Sequence, residues 1–426
     1  MRPWLLRAHR WVGLLLAGFV TMAGLTGSIA AFHDAIDAQL NPDLFDARVP
    51  GATLSPAALV RRLQAQAPHT QLGYMLFHPP DGQSVRAYVQ PRTDPTTGRP
   101  FALAANELFL DPATGNLLGG RNSDACCFSR RALIPFLFRF HYTIGLGRTG
   151  QWIMGLVSAI WSIDCVVGLL LTLPPVRRRD VPRRAAEWLR GWRRAWRIDT
   201  ARRGFRLIFD LHRAVALWLW LVLLGIAISG FAIALDAPLF HPLVTFLLPV
   251  AGPATPPDAG TTRPGPDMDA VVALANDVMR KQGWHDDAGG VFVMPDAHLA
   301  SVFFFQSAAE RGTGLGRPTV TINTRNGRVA QIETPGGGRV GDLVMQIQFP
   351  WHSGQILGVF GRVLVAFAGL ATAGLAVTGV MIWERKRRAR GRHVGSRCRT
   401  ECKIGIEGGA DTRIAAEAGC TVSQDQ

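Results

Sequence analysis

The stretch HYTIGLGRTGQWIMGLVSAIWSIDCVVG, residues 141–168, is matched by HSGQILGVFGRVLVAFAGLATAGLAVTG, residues 352–379. Each stretch begins with a histidine and has glycine at its seventh, tenth and twenty-eighth positions. Beyond the first few residues each becomes an apolar run, at 144–173 and 356–383. At a rise of about 1.5 Å per residue, such runs cross the roughly 30 Å hydrocarbon core of a bilayer. The repeated pattern therefore predicts two equivalent membrane-spanning helices.

Two further apolar runs, 11–32 and 214–235, share a second pattern. A single offset aligns their landmarks, which are His9-Arg10 with His212-Arg213 and Thr26-Gly27 with Ser229-Gly230. The first run is longer than the roughly 7–15 apolar residues of a signal peptide, so we expect it to be a retained span. The chain is thus predicted to have four transmembrane helices.

The segments between the spans predict small α+β domains. In each, an amphipathic helix, at 55–66 or 268–282, precedes strand-like runs that end in a turn rich in Asp, Asn and Gly. The predicted fold class is membrane α + β, with two tandem helix–domain–helix repeats. The predicted order is span one at 1–33, a periplasmic α+β domain at 34–140, span two at 141–174, a basic cytoplasmic loop at 175–208, span three at 209–236, a linker and second periplasmic α+β domain at 237–351, span four at 352–384, and a basic tail without ordered structure at 385–426.

The formal charge of +15 is concentrated beside the spans. Arginines cluster at 2–10, 177–206 and 385–399, next to apolar runs of membrane length. The positive-inside rule explains these clusters without a nucleic acid partner. It predicts a protein of the bacterial inner membrane, with both termini and the middle basic loop in the cytoplasm and the α+β domains outside.

Three features resemble the PepSY-associated transmembrane proteins: the His-Arg start of span one, the His-x5-Gly-x2-Gly entry to spans two and four, and the hairpin sequence LDPATG at 110–115. The resemblance covers roughly residues 7–388. Several members of that family are inner-membrane haem proteins that reduce ferric siderophores, and others are known only as iron-regulated membrane proteins. The resemblance therefore implies haem b, one or two per chain, and a ferric siderophore or other ferric chelate as substrate.

Four histidines at repeated positions are the candidate axial ligands of haem iron. His9 and His212 lie at the predicted cytoplasmic ends of spans one and three, and His141 and His352 at the outer ends of spans two and four. Ionisable groups near spans are costly and often functional, and imidazole is a common haem ligand. A pseudo-twofold axis would pair His9 with His212 and His141 with His352. Alternatively, His33, which follows span one, would pair with one of the outer-end histidines.

Arg10 and Arg213 each follow one of these histidines directly. Because a guanidinium matches the geometry of a carboxylate, both are candidate partners of haem propionates. Ordinary positive-inside charge explains them equally well.

These features favour a haem-dependent ferric-chelate reductase that passes electrons outward. No catalytic side chain is needed, since the cofactor carries the redox chemistry. The chain has no GxGxxG after a strand and no P-loop, so electrons would come from quinol or a separate cytoplasmic reductase. The alternative is a membrane-anchored, non-enzymatic regulator of a peptidase or other envelope partner, since PepSY-like modules elsewhere are linked to peptidase inhibition. A transporter is less favoured, because few charges, chiefly Asp164 and Arg362, lie within the spans.

Overall fold

The computed structural model describes residues 2–174, 185–201, 203–251, 266–305 and 314–407. The helices are α1 (Arg2–Ala30), α2 (His33–Leu40), α3 (Pro42–Phe45), α4 (Pro56–Gln66), α5 (Arg130–Thr143), α6 (Gly147–Thr172), α7 (Ala185–Arg193), α8 (Phe205–Trp218), α9 (Trp220–Ala234), α10 (His241–Leu247), α11 (Met268–Lys281), α12 (Val340–His352) and α13 (Gly358–Glu407). The strands are β1 (Thr70–Leu76), β2 (Val85–Pro91), β3 (Glu107–Leu110), β4 (Leu117–Arg121), β5 (Ala288–Met294), β6 (Leu299–Phe304), β7 (Thr319–Asn323) and β8 (Val329–Glu333). Parts of the predicted basic loop (175–184 and 202), linker (252–265) and tail (408–426) lie outside the described residues.

The described residues contain three helices long and apolar enough to cross a membrane: Arg2–Ala30, Gly147–Thr172 and Gln355–Arg390. The pair α8 and α9 makes a fourth if the two helices form one span. Large apolar side chains on these helices are exposed, including Leu15 at 68%, Ile163 at 67% and Phe367 at 58%. Lipid is the solvent that such surfaces require, so the chain is a membrane protein.

Two expected boundaries differ in the structure. The run at 214–235 is not one helix, because the backbone of Leu219 (φ −101°, ψ 2°) leaves helical geometry between α8 and α9. No proline or glycine lies between 215 and 224, so the sequence carried no signal for this break. The last helix also continues to Glu407, where a tail without ordered structure was expected from 385. Arg, Lys and Glu are good helix formers, and an Arg388–Glu384 ion pair (2.7 Å) supports the helix one turn apart.

The chain forms two compact units, and every contact described below lies within one of them. The first unit contains residues 1–21, 166–220 and 373–426, and the second contains residues 22–165 and 221–372. The first unit is helical. The second contains the eight strands that the structure describes, together with α2 to α5, nearly all of α9, and α10 to α12.

The strands form one antiparallel sheet in the order β4-β3-β2-β1-β5-β6-β7-β8. Its two four-stranded sets meet at β1 and β5, where Met75 is opposite Val291. The structure thus differs from the expectation of two separate α+β domains. The physical reason is that each four-stranded set has an edge strand with unpaired backbone N–H and C=O groups. Pairing β1 with β5 satisfies these groups in both sets.

Helices α4 and α11 pack with this sheet around a single apolar core. The core contains side chains from both halves of the chain, all at most 1% exposed: Leu59, Leu63, Met75, Val271, Met279, Val291 and Phe304. The two helices also bind each other, since Asp269 accepts hydrogen bonds from Ser55 Oγ (3.0 Å) and the Ala57 N–H (2.7 Å). One core therefore serves both sets of strands.

The hairpin between β3 and β4 is held by the carboxylate of Asp111. One oxygen accepts the N–H groups of Arg48 (2.9 Å) and Val49 (3.0 Å), and the other accepts those of Ala113 and Thr114 (3.1 Å each). Burial opposes ionisation, but these donors outweigh it and lower the pKa of Asp111 below its ordinary value. The aspartate of the LDPATG sequence is therefore a structural residue of the turn.

A buried charge network joins the end of the sheet to the helices that flank it. Arg121 on β4 donates to Glu107 Oε2 (2.7 Å), and its other nitrogens bind both oxygens of Asp37 on α2 and the carbonyl of Arg131 on α5. All three charged side chains are at most 6% exposed. Burial alone would lower the pKa of Arg121, but the hydrogen bonds and charges of Asp37 and Glu107 raise it.

Replacing Arg121 with alanine is expected to destabilise the second unit by about 3–5 kcal/mol, because Asp37 and Glu107 would stay buried without their cation. Arg131→Ala is the matched control, since its ion pair with Asp43 is exposed and such pairs contribute about 0–1 kcal/mol. Thermal denaturation of the detergent-purified protein, followed by intrinsic fluorescence, measures both. Equal losses in the two variants would contradict the prediction.

Candidate functional site

A glycine turn separates each outer histidine from the span that follows it. His141 lies in the last turn of α5 and His352 ends α12, so the spans predicted to begin at these residues begin only after the turn. Gly147 and Gly358, the first glycines of the repeated pattern, have φ of 53° and 60°. Glycine adopts this left-handed conformation without steric cost, and here it redirects the chain into α6 and α13.

The second repeated glycine lets the backbone pass close to itself in the same turn. A Cβ on Gly150 would overlap the Thr143 carbonyl, and a Cβ on Gly361 would overlap the Gly354 carbonyl. These glycines therefore shape the turn that follows each histidine, rather than a contact between spans.

In the second unit the structure brings His141 and His352 together. Their ring centres are 6.1 Å apart, with 53° between the ring planes. His141 Nδ1 lies 3.0 Å from Thr26 Oγ1 on α1, and His352 Nδ1 lies 3.0 Å from Ser229 Oγ on α9. Each imidazole is thus held by a hydroxyl from a neighbouring helix.

In the first unit His9 and His212 form a similar pair. Their ring centres are 6.4 Å apart, with 64° between the planes. His212 Nδ1 lies 3.0 Å from Thr378 Oγ1 on α13. Both pairs match the pairing that a pseudo-twofold axis predicts.

The hydrogen bonds of the hydroxyls fix the tautomer of three histidines. Each hydroxyl has one proton, and Thr26, Ser229 and Thr378 already donate theirs to the carbonyl four residues earlier at 2.7–2.8 Å. Each hydroxyl must therefore accept from the imidazole, which places a proton on Nδ1 of His141, His352 and His212. In the neutral ring Nε2 is then the unprotonated nitrogen, the form that binds a metal.

A glycine lies against the Cε1 atom of each of the four rings. A Cβ built on Gly27 would lie 2.8 Å from Cε1 of His141, and one on Gly230 would lie 3.3 Å from Cε1 of His352. A Cβ on Gly168 would lie 3.5 Å from Cε1 of His9, and one on Gly379 would lie 3.4 Å from Cε1 of His212. A Cβ would crowd the ring at Gly27 and Gly230, whereas at Gly168 and Gly379, the third repeated glycines, it would make an ordinary van der Waals contact. At His141 and His352, Cε1 packing and the Nδ1 hydrogen bond together leave the Nε2 edge as the one that these contacts do not cover.

The spacing within each pair fits one iron between two imidazoles. An imidazole nitrogen binds a first-row metal at about 2.0–2.1 Å. Ring centres 6.1 and 6.4 Å apart are close enough for both imidazoles of a pair to reach one such metal. Among the described residues, no group of three or more His, Cys, Asp or Glu side chains is placed to hold a metal ion. A haem requires only two protein ligands because the porphyrin supplies four nitrogens, so the donor set fits haem.

The two candidate propionate ligands have different surroundings. Arg10 Nε is buried and has no hydrogen-bond partner in the part of the chain that the structure describes. Arg213 instead binds Asp210 (2.7 Å) and the carbonyl of Ala195 (3.1 Å). Arg10 therefore has unused capacity for an anion, whereas Arg213 is committed to its own helix and to the loop before it.

His33 differs from the paired histidines because both of its ring nitrogens have partners. Its Nδ1 contacts the Ala30 carbonyl at 2.8 Å, its Nε2 contacts Asp34 at 3.3 Å, and its ring packs on Phe138. With both nitrogens engaged, His33 does not have the free edge that a ligand needs.

No role was predicted from the sequence for the hydroxyls of Thr26, Ser229 and Thr378, although Thr26 and Ser229 are landmarks of the repeat. The signal was a hydroxyl residue directly before a glycine, which occurs in Thr26-Gly27, Ser229-Gly230 and Thr378-Gly379. Thr26 follows His9 by the same number of residues as Ser229 follows His212.

Comparison with known proteins identifies one family. The sequence model described as PepSY-associated TM region matches residues 6–386, which is most of the chain and agrees with the resemblance drawn from its motifs. No curated protein matches the chain.

Replacing Gly27 with alanine is expected to displace the His141 ring, because the new Cβ would lie 2.8 Å from Cε1. Overpacking of this kind costs about 1–3 kcal/mol. Gly18→Ala on the same helix is the control, since a Cβ there meets nothing within 4 Å and alanine favours a helix. Thermal denaturation should show a lower midpoint for the first variant only; no difference between them would refute the packing argument.

Proposed function

The chain belongs to the PepSY-associated TM family, and on that premise we propose that it is a haem-binding electron-transfer protein that reduces a ferric chelate. The observation that carries this proposal is the pair of histidine pairs, at 6.1 and 6.4 Å between ring centres. Two chance pairs would not be expected to share both the spacing and a glycine behind every ring.

The residues of the chain would hold and orient a haem at each pair. The imidazoles of His141 with His352, and of His9 with His212, would hold the haem iron. Hydroxyl acceptors at Nδ1–H raise the basicity of an imidazole and fix its orientation. Arg10 would bind a propionate, because its buried Nε lacks a partner within the described residues. A bound haem supplies reversible one-electron chemistry, which no side chain of the protein provides.

The charge pattern supports a direction for the electrons. By the positive-inside rule, the arginines beside His9 and in the loop before His212 would put that pair at the cytoplasmic side of a bacterial inner membrane, with both termini in the cytoplasm. His141 and His352 end helices that continue from the sheet, so the sheet would lie in the periplasm. Electrons from quinol or a cytoplasmic reductase would leave at this second pair. The acceptor would be a ferric siderophore or other ferric chelate, since reduction to Fe(II) weakens binding by hard oxygen ligands and releases the iron.

The proposal predicts two b-type haems per chain, one for each histidine pair. His141→Ala is expected to remove one of them, because the partner imidazole alone cannot supply both axial ligands. His33→Ala is the matched control, as both of its nitrogens are engaged elsewhere. Oxidised-minus-reduced absorption spectra and pyridine haemochrome stoichiometry of the detergent-purified protein measure both variants.

Loss of haem in His33→Ala but not in His141→Ala would overturn the ligand assignment. Absence of haem from the unmodified chain, expressed with adequate haem, would overturn the function. That second result would favour the alternative of a membrane-anchored regulator of a peptidase or other envelope partner, which needs no cofactor.

Replacing Arg10 with glutamine is expected to lower the midpoint potential of one haem and leave the other unchanged. Removing a cation beside a propionate stabilises the oxidised, more positive iron. Arg7→Gln is the control, because Arg7 is exposed on the same helix. Potentiometric titration of the visible spectrum separates the two haems, and equal shifts in both variants would show that Arg10 acts only through general surface charge.

A further inference from the structure

The short helix α7 is bound to the end of a candidate span. The indole N–H of Trp188 donates to the Pro174 carbonyl, and that of Trp192 donates to Thr172 Oγ1, at 3.2 Å each. Thr172 is the last residue of α6, one of the helices long and apolar enough to cross a membrane. Helix α7 therefore lies where that span leaves the hydrocarbon core of the bilayer.

The beginning of α1 lies at the same level. Arg2, the first residue of α1, donates to the carbonyls of Leu171 and Leu173 at the end of α6, at 3.1 Å each. Two candidate spans therefore have an end beside α7, and this level is a boundary between lipid and water.

The turn that follows α7 is fixed to α8. Residues Arg194–Trp196 form a single 3₁₀ turn. The Ala195 carbonyl accepts a hydrogen bond from Arg213 Nε, and the Trp196 carbonyl accepts one from the Trp218 indole N–H, at 3.1 Å each. Because the segment is bound to α6 at one end and to α8 at the other, the protein itself sets its orientation beside the spans.

A row of tryptophans forms the side of this segment that faces α6. Trp188, Trp192 and Trp196 lie four residues apart, with ring centres 6.0 and 5.4 Å apart along the row. Leu189, beside the row, is an exposed apolar side chain. Tryptophan is enriched at membrane–water interfaces, where its ring contacts apolar groups and its N–H keeps a hydrogen bond. The row has the composition of a side chain layer at that interface.

Arginines form the opposite side. On a helix with about 3.6 residues per turn, Arg190 and Arg193 lie opposite Trp188 and Trp192. Both arginines are exposed, and so are two further arginines in and after the 3₁₀ turn, at 194 and 197. None of the four forms an ion pair with a side chain that the structure describes. The segment thus presents a cluster of positive charge directly outside its tryptophan row.

The anions that this cluster meets at the bilayer surface are lipid phosphates. The headgroup layer of one leaflet is about 5–8 Å thick, and a helix is about 10 Å across, so side chains on the outer half of α7 are within reach of that layer. A guanidinium binds a phosphate group through two parallel hydrogen bonds. A zwitterionic headgroup would bring its own cation to the cluster, whereas an anionic headgroup would not.

We propose that residues 188–197 form a binding site for the headgroup of an anionic phospholipid, such as phosphatidylglycerol. The tryptophan row would lie at the edge of the hydrocarbon core, and Arg190, Arg193 and Arg194 would bind the phosphate. The site needs neither haem nor a substrate, so it does not rest on the proposed function.

The test is lipid binding to the detergent-purified full chain, measured by native mass spectrometry. The unmodified chain should bind phosphatidylglycerol more tightly than phosphatidylcholine with the same acyl chains. The triple variant Arg190→Gln, Arg193→Gln, Arg194→Gln should bind phosphatidylglycerol at least about tenfold more weakly, because each basic residue adds severalfold to the attraction of an anionic headgroup. The matched control is Arg61→Gln, Arg99→Gln, Arg280→Gln, which removes the same charge from exposed positions in the second unit and should bind as the unmodified chain does.

A lysine triple variant separates loss of charge from loss of fold. Replacing Arg190, Arg193 and Arg194 with lysine keeps the charge, so most of the affinity should remain, and a loss as large as that in the glutamine variant would overturn the proposal. Equal weakening in the glutamine variant and its matched control would show that only the overall charge of the chain attracts the lipid. Equal affinity for phosphatidylcholine would exclude an anionic site. Displacement of the lipid by inorganic phosphate at equal concentration would show a site for free phosphate instead.

Discussion

The hydrogen bond from a histidine Nδ1–H to a helix hydroxyl decides which nitrogen three of the four paired rings can offer. A serine or threonine within a helix usually returns its proton to the carbonyl four residues earlier, which is a small cost to the helix. Because Thr26 and Ser229 donate their hydroxyl protons to backbone carbonyls, they can only accept a hydrogen bond from the imidazole. The tautomer at His141 and His352 therefore depends on an intact turn of α1 and α9, not on any charged group beside the ring.

The position of these rings depends in turn on glycine. The histidine near the end of α5 or α12 lies outside the span, because the chain leaves that helix and begins a new one at Gly147 or Gly358. The same histidine within a continuous span would point along a different direction, since side-chain direction rotates with every residue of a helix. Hydropathy reports only that an apolar run exists. The repeated residues therefore indicated four spans and the pairing of the histidines, but placed the starts of two spans at the histidines themselves.

Other features could not be read from one sequence because they depend on contacts between distant segments. The pairing of β1 with β5 joins strands that lie more than two hundred residues apart in the chain, and both read as ordinary half-buried strands. The engagement of Arg213 by Asp210 and Ala195 likewise separates it from Arg10, although the two follow histidines at repeated positions. Repetition in sequence predicted where equivalent groups lie, but not which of them keeps a free hydrogen-bonding edge.

The two halves of the sheet differ where a shared architecture would allow them to be alike. In the first half, a buried cation binds carboxylates from the sheet and α2 and a carbonyl of α5, so the helix that ends near His141 is fixed to the sheet by charge. In the second half, neutral hydrogen bonds from Gln346 connect α12 to the loop after β8 instead. A buried ionic network costs more to break than neutral hydrogen bonds do, because each charge would be left without its partner. The repeat therefore places equivalent histidines on helices that are held to the sheet by contacts of different kinds.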